Sequence, residues 1–149
     1  MNTETEKAQR ASVVAEALSW VGTPYHHHAR IKGAGVDCGM VLAEIFERAG
    51  VMPAVDPGDY PADWMCHRSE ERFLGIVETY AHKIEGLPKP GDIALFQWGR
   101  CISHGAIVIE WPQILHAYKI AGGVVLDDAE QNKDLEPRLA GFWSPWGES

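Results

Sequence analysis

The chain has 149 residues, 46% hydrophobic and 23% charged, the make-up of one globular domain able to bury about two-thirds of its unfolded surface. Its net charge of −8 excludes phosphate-backbone binding as the main task, because nucleic-acid binding shows as a basic stripe or patch. There is no run of about eighteen apolar residues, so no membrane insertion is expected, and the polar start Met1-Asn2-Thr3-Glu4-Thr5-Glu6-Lys7 has no apolar signal core, which predicts synthesis in the cytoplasm.

From about Thr5 to Trp20, residues Val13, Val14, Ala17, Leu18 and Val21 recur at helical spacing, and Gly22-Thr23-Pro24 breaks the pattern, predicting a first amphipathic helix. Tyr25 to Val36, with His26-His27-His28 and several glycines, has no sustained period and reads as a loop. Met40, Val41, Ile45 and Phe46 predict a helix over Cys38–Ala49, stopped by Gly50. Pro53 to Asp63 is expected to be irregular, and Phe73, Leu74, Val77 and Tyr80 predict a further helix over Glu70–Ile84.

After Leu87-Pro88-Lys89-Pro90-Gly91-Asp92 the pattern changes to short apolar runs. Ile93–Phe96, Ala106–Ile109, Ile114–Tyr118 and Val124–Leu126 predict strands of an antiparallel meander. The segment Phe142–Trp146 is expected to pack back on the domain. Helices first and strands second make this an α+β fold, a single domain over 1–149 with an antiparallel sheet of about four to six strands.

The residue best placed for chemistry is Cys38, in Gly35-Val36-Asp37-Cys38-Gly39-Met40-Val41, where loop gives way to helix. The unpaired N–H groups and positive dipole end of a helix N-terminus favour the thiolate, the nucleophilic form. His104, Ala106 and Val108 share one face of a strand, as do Ile114, His116 and Tyr118, so adjacent pairing would join the two histidines. A thiol, a base and a third polar group are the minimum parts of a cysteine hydrolase. The competing reading is a buried, inert cysteine and two hydrogen-bonded strand histidines.

Cys38, Cys66 and Cys101 form no CxxC pair and suggest neither a disulfide framework nor a thiolate zinc site. Consecutive residues in an extended chain point in alternating directions, so His26-His27-His28 is read as a groove entrance or a solvated loop rather than a metal site. No metal or other cofactor is expected. Asp92 is read as a turn cap, and Trp98, Trp111, Trp143 and Trp146 as aromatic packing before a substrate platform.

Val36-Asp37-Cys38 after Val21-Gly22-Thr23-Pro24-Tyr25, then Pro90-Gly91-Asp92-Ile93-Ala94-Leu95-Phe96 and Ser103-His104-Gly105-Ala106-Ile107-Val108, resembles the NlpC-type, papain-like cysteine peptidases of the cell wall. The resemblance runs from about Trp20 to Val125. It implies Cys38 as nucleophile, His104 as general base, His116 as the residue fixing the His104 imidazole, and Tyr25 as a neighbour of the active site. The implied substrate is a peptidoglycan stem peptide, whose free amine Asp37 would help to bind. Tyr60-Pro61-Ala62-Asp63-Trp64 and Phe142-Trp143-Ser144-Pro145 look most like members found among phage tail genes, which implies tail-protein partners and delivery to the wall in a particle. Cell-wall members usually read Asp-Cys-Ser-Gly where this chain reads Asp37-Cys38-Gly39-Met40. That departure motivates the alternative of a catalytically silent tail assembly or binding module with the same fold.

Overall fold

The computed structural model describes residues 2–56 and 72–147. The first helix, α1, spans Thr3–Leu18 and is capped by the Asn2 side chain, which accepts from the Thr5 N–H. Val13, Ala17 and the following Trp20 are fully buried, whereas Leu18 and Val21 face solvent. The loop read over Tyr25–Val36 contains a small hairpin, β1 (Arg30–Ile31) paired with β2 (Gly35–Val36). No periodic signal marked these two-residue strands.

Helix α2 covers Cys38–Arg48 and is the core helix, with Met40, Val41, Leu42, Ile45 and Phe46 buried. Burying a side chain as large as Phe46 stabilises by about 1.5–3 kcal/mol. Helix α3 covers Arg72–Tyr80, anchored by buried Phe73 and Val77.

This corrects the helix expected over Glu70–Ile84, whose first residues fall outside the described ones. The helical bonding stops at Ala81 N–H to Val77 C=O, and His82–Ile84 forms strand β3. His82, Lys83 and Ile84 pair with Ser144, Trp143 and Phe142, so a distant strand supplies the hydrogen bonds that helix continuation would have made. Tyr60 to Trp64, Cys66 and most of the Pro53–Asp63 stretch also lie outside the described residues.

The remaining strands are β4 (Ile93–Trp98), β5 (Cys101–Glu110), β6 (Gln113–Tyr118), β7 (Gly123–Asp128) and β8 (Leu139–Ser144), the last preceded by a 3-10 turn at Glu136–Arg138. They form one six-stranded antiparallel sheet in the order β3-β8-β4-β5-β6-β7. The expected four-strand meander is β4 to β7. The C-terminal segment does more than pack back, because as β8 it enters the sheet between β3 and β4.

Both faces of the central strands are buried. Ile93, Leu95, Ile107 and Leu115 pack with the helices, while Ala94, Phe96, Ala106, Val108 and Ile114 pack on the far face with Ala129 and Leu135. This is why β5 reads as a nearly continuous apolar run. Helix α2 lies directly on β5 at Gly105, where a Cβ would stand 2.7 Å from Leu42 Cδ1 and 3.0 Å from Phe73 Cζ. Asp92 does cap the turn into β4, accepting from the Lys89 N–H, and it also takes a 2.8 Å ion pair from Arg10 of α1.

Candidate active site

Cys38 is the first residue of α2, and Asp37 is its N-cap. Asp37 Oδ1 accepts from the Met40 N–H at 2.9 Å, and Oδ2 accepts from the His28 N–H at 2.7 Å. One buried carboxylate thus both starts the nucleophile helix and ties the preceding histidine loop to it. The Cys38 thiol is 2% exposed and donates to the Ser103 carbonyl at 3.9 Å. Tyr25 also hydrogen-bonds the sulfur, and the backbone N–H groups of Cys38 and Gly39 lie against it.

Ser103 is a special position in β5. Phe96 pairs with His104 and Gln97 with Ile102, so Ser103 is an extra residue without a partner on β4. Such a bulge bends the strand and re-aims its side chains. Here it stands where the Ser103 carbonyl meets the thiol, one residue before His104.

His104 is 8% exposed, and its ring sits among Phe96, Trp98, Tyr118 and His116 with centroid distances of 5.9, 5.8, 5.9 and 5.0 Å. Its Nε2 lies 2.7 Å from Nδ1 of His116, which is fully buried on β6. Val108 pairs with Ile114, so the two faces inferred from alternation are one face of the sheet. His116 in turn places Nε2 3.0 Å from Asp127 Oδ2. His116 pairs with Val125, and Asp127, two residues on, lies on the same face.

The electrostatics favour neutral groups at rest. Burial, with His116 alongside, holds His104 well below the usual imidazole range. Burial lowers His116 too, against the opposing pull of the Asp127 carboxylate. Burial raises the Cys38 thiol and the Asp37 charge adds to this, while the Tyr25 hydroxyl and the helix N–H groups act the other way. Burial, with Cys38 and Asp37 nearby, likewise raises Tyr25. The resting pair is a thiol and an uncharged imidazole.

The structure gathers all the sequence-nominated residues at one end of the sheet. His104 and His116 are directly bonded, and Tyr25 and Asp37 flank Cys38. Tyr25 is held by its N–H to the Gly122 carbonyl, in the turn between β6 and β7. The three consecutive histidines diverge: His26 packs on Gly35, His27 Nδ1 stands 3.9 Å from Asp37, and His28 binds Asp37 through its backbone. Cys101 is buried at the start of β5. Two participants escaped the sequence reading, the Ser103 carbonyl and Asp127. The strand read over Val124–Leu126 stopped one residue short of Asp127, and one more step of alternation would have reached it.

No family model matches the chain, and neither does any curated protein. Solved structures do. A Staphylococcus aureus subsp. aureus Mu50 protein described as similar to lipoprotein, NLP/P60 family, superposes with a TM-score of 0.68 at 18% identity, over 99% of this chain and 43% of that one. The NlpC/p60 domain of peptidoglycan hydrolase SagA gives 0.60 at 19% identity, over 90% of this chain and 96% of that domain. The fold is that of the NlpC/P60 proteins. The peptidoglycan hydrolase RipB from Mycobacterium tuberculosis gives 0.65 at 16% identity, covering 97% of this chain and 67% of that one. The chain therefore spans less than half of the S. aureus protein and nearly the whole of the isolated SagA domain. The NlpC/P60 fold accounts for the α+β order.

Proposed function

We propose that the protein is a cysteine peptidase that hydrolyses an amide bond in a peptidoglycan stem peptide. The observation that carries this reading is the Cys38 thiol at the start of α2, set against the residue before a His104 that is hydrogen-bonded to His116. The neighbours named as peptidoglycan hydrolases support the substrate class.

In this reading His104 is the base. Its Nε2 is engaged with His116, which leaves Nδ1 to take the thiol proton as sulfur attacks the carbonyl carbon. Hydrogen bonds of this kind are commonly long in a substrate-free enzyme and tighten when substrate docks. The developing oxyanion meets the N–H groups at the start of α2, already aimed at the sulfur. The imidazolium of His104 then protonates the leaving amine, and water, deprotonated by the same ring, releases the acyl group from sulfur. Asp37, engaged by the cap and by His28, presents a fixed negative charge next to the nucleophile for a substrate amine. We further propose phage-tail association, with delivery to the wall in a particle, on the resemblance of Phe142-Trp143-Ser144-Pro145 and of Tyr60 to Trp64.

The test is mass spectrometry of purified muropeptides incubated with wild type and with Cys38→Ala. New fragments with wild type alone identify the class and the bond, and identical digests refute the peptidase reading for this substrate. A second reading, the silent assembly module, is favoured by the near-complete burial of the thiol and by its raised pKa. It requires that iodoacetamide modify Cys38 no faster than Cys101 near neutral pH.

A further inference from the structure

The chain of polar contacts at the site continues past His116. Asp127 Oδ2 lies 3.0 Å from His116 Nε2 and accepts from Asn132 Nδ2 at 2.8 Å, while Oδ1 accepts from the Asp128 N–H at 2.8 Å. Asn132 is itself fixed, since its N–H donates to the Asp128 carbonyl and its Oδ1 accepts from the Asp134 N–H. Side-chain and backbone bonds thus hold the carboxylate in one orientation against a fully buried imidazole.

A carboxylate only accepts, so His116 must donate from Nε2. A neutral imidazole that donates from Nε2 accepts only at Nδ1, and therefore His104 must donate from Nε2 across the 2.7 Å contact. The lone pair of His104 is then left on Nδ1. We propose that Asp127, oriented by Asn132, is a positioning residue that sets the tautomers of both histidines and so makes His104 Nδ1 the proton acceptor. This role rests on the peptidase reading and extends it by two residues. As the S–H bond breaks and Nδ1–H forms, His104 becomes an imidazolium that still donates to His116, and the Asp127 charge offsets the new positive charge along the same line.

The isosteric amide makes the opposite demand. In Asp127→Asn combined with Asn132→Ala, which removes the second donor to the Oδ2 position, Oδ1 still accepts from the Asp128 N–H and the amide N–H group turns toward His116. His116 Nε2 must then accept, Nδ1 carries the proton, and His104 is forced to hold its proton on Nδ1, where the lone pair is needed. Where a carboxylate orients a catalytic histidine directly, this exchange costs about 10⁴-fold in turnover. Acting through an intervening ring, a loss of about 10- to 100-fold is expected in the alkylation rate of Cys38.

The experiment uses the full chain labelled with 15N-histidine. Two-bond 15N–1H correlation spectra separate protonated from unprotonated ring nitrogens at neutral pH. Wild type should show both histidines protonated on Nε2 only, and Asp127→Asn/Asn132→Ala should show both on Nδ1. Iodoacetamide alkylation of Cys38 should be slowed in the variant, and less so in the milder Asn132→Ala. A wild-type spectrum with His104 protonated on Nδ1 overturns the proposal, whether or not the variant folds. Fast Cys38 alkylation that is unchanged in a folded Asp127→Asn/Asn132→Ala also overturns it, while leaving the peptidase reading intact. Wild-type Cys38 reacting no faster than Cys101 defeats the peptidase reading and this role with it.

Discussion

Three glycine-to-alanine substitutions make the same chemical change in three environments, and the structure assigns them different signs. At Gly123 an added Cβ would stand 2.5 Å from the Thr23 carbonyl oxygen, against an ordinary carbon–oxygen contact of about 3.3 Å. The Thr23 backbone must therefore retreat by about 0.8 Å, and it is not free to do so. Thr23 C=O accepts from Val124 N–H at 2.9 Å, Gly22 N–H donates to Val124 C=O at 3.0 Å, and Tyr25 N–H donates to Gly122 C=O at 2.9 Å. With overpacking at about 1–3 kcal/mol and each weakened hydrogen bond at about 0.5–1.5 kcal/mol, the loss is about 2–5 kcal/mol. At about 2–4 °C per kcal/mol for a chain of this length, Tm falls by roughly 5–20 °C.

Gly105→Ala meets side-chain ends instead, Leu42 Cδ1 at 2.7 Å, Phe73 Cζ at 3.0 Å and Leu95 Cδ2 at 3.1 Å. These yield more readily than backbone, so a loss of about 1–2 kcal/mol is expected. Gly75, exposed within α3 with nothing inside 4 Å among the described residues, should gain up to about 1 kcal/mol from alanine's helix propensity. Calorimetric melting should rank Gly75→Ala above wild type, then Gly105→Ala, then Gly123→Ala. Gly123→Ala should also disturb Cys38 alkylation, because its loop carries Tyr25. A Gly123→Ala protein that melts with wild type would refute the close approach that places this loop.

Other outcomes follow from the same contacts. Both His104 and His116 have folded-state pKa values below the unfolded imidazole value, so the unfolded chain binds more protons. Stability should be level above about pH 6.5–7 and fall as pH drops below that. Calorimetry between pH 8 and 5 should show this slope, shallower in His104→Gln, and a slope of the opposite sign would contradict neutral burial. Tyr25→Phe removes a hydrogen bond that favours the Cys38 thiolate, worth about 1 kcal/mol, and should slow its alkylation about fivefold with little change in Tm. An unchanged rate would remove Tyr25 from the site. Asp92→Asn weakens a buried ion pair with Arg10 and should cost about 2–3 kcal/mol in urea unfolding. Its Cys38 alkylation rate should match wild type, because Asp92 lies at the opposite end of β4 from the Phe96–His104 pair.

Local signals made part of this architecture readable in advance. The α2 stripe of Met40, Val41, Ile45 and Phe46 is buried as its spacing indicates, and Asp37 before it is a cap because a short carboxylate accepts well from the first-turn N–H groups. The shared face of His104 and His116 follows from the two-residue strand period together with a tight β5–β6 connection. The end of α3 was not readable. Nothing between Tyr80 and Ile84 is hostile to helix, and the strand there exists only because β8 arrives to pair with it. The Ser103 bulge was equally hidden, since it is a mismatch between two strands and belongs to neither sequence alone.

The sequence by itself determined the chemical parts of this protein and their neighbourhoods: a thiol at a helix start, histidines on alternate strand positions, and apolar faces at their own periods. Those depend on interactions between residues a few positions apart, which the chain carries wherever it goes. The tertiary structure decided which parts meet. It inserted β8 beside β4, turned the Ser103 carbonyl toward Cys38, and extended the histidine pair to Asp127 and Asn132. Sheet order and register are set by packing among segments far apart in the chain, and that is where His104, His116, Asp127 and Asn132 became one line of hydrogen bonds.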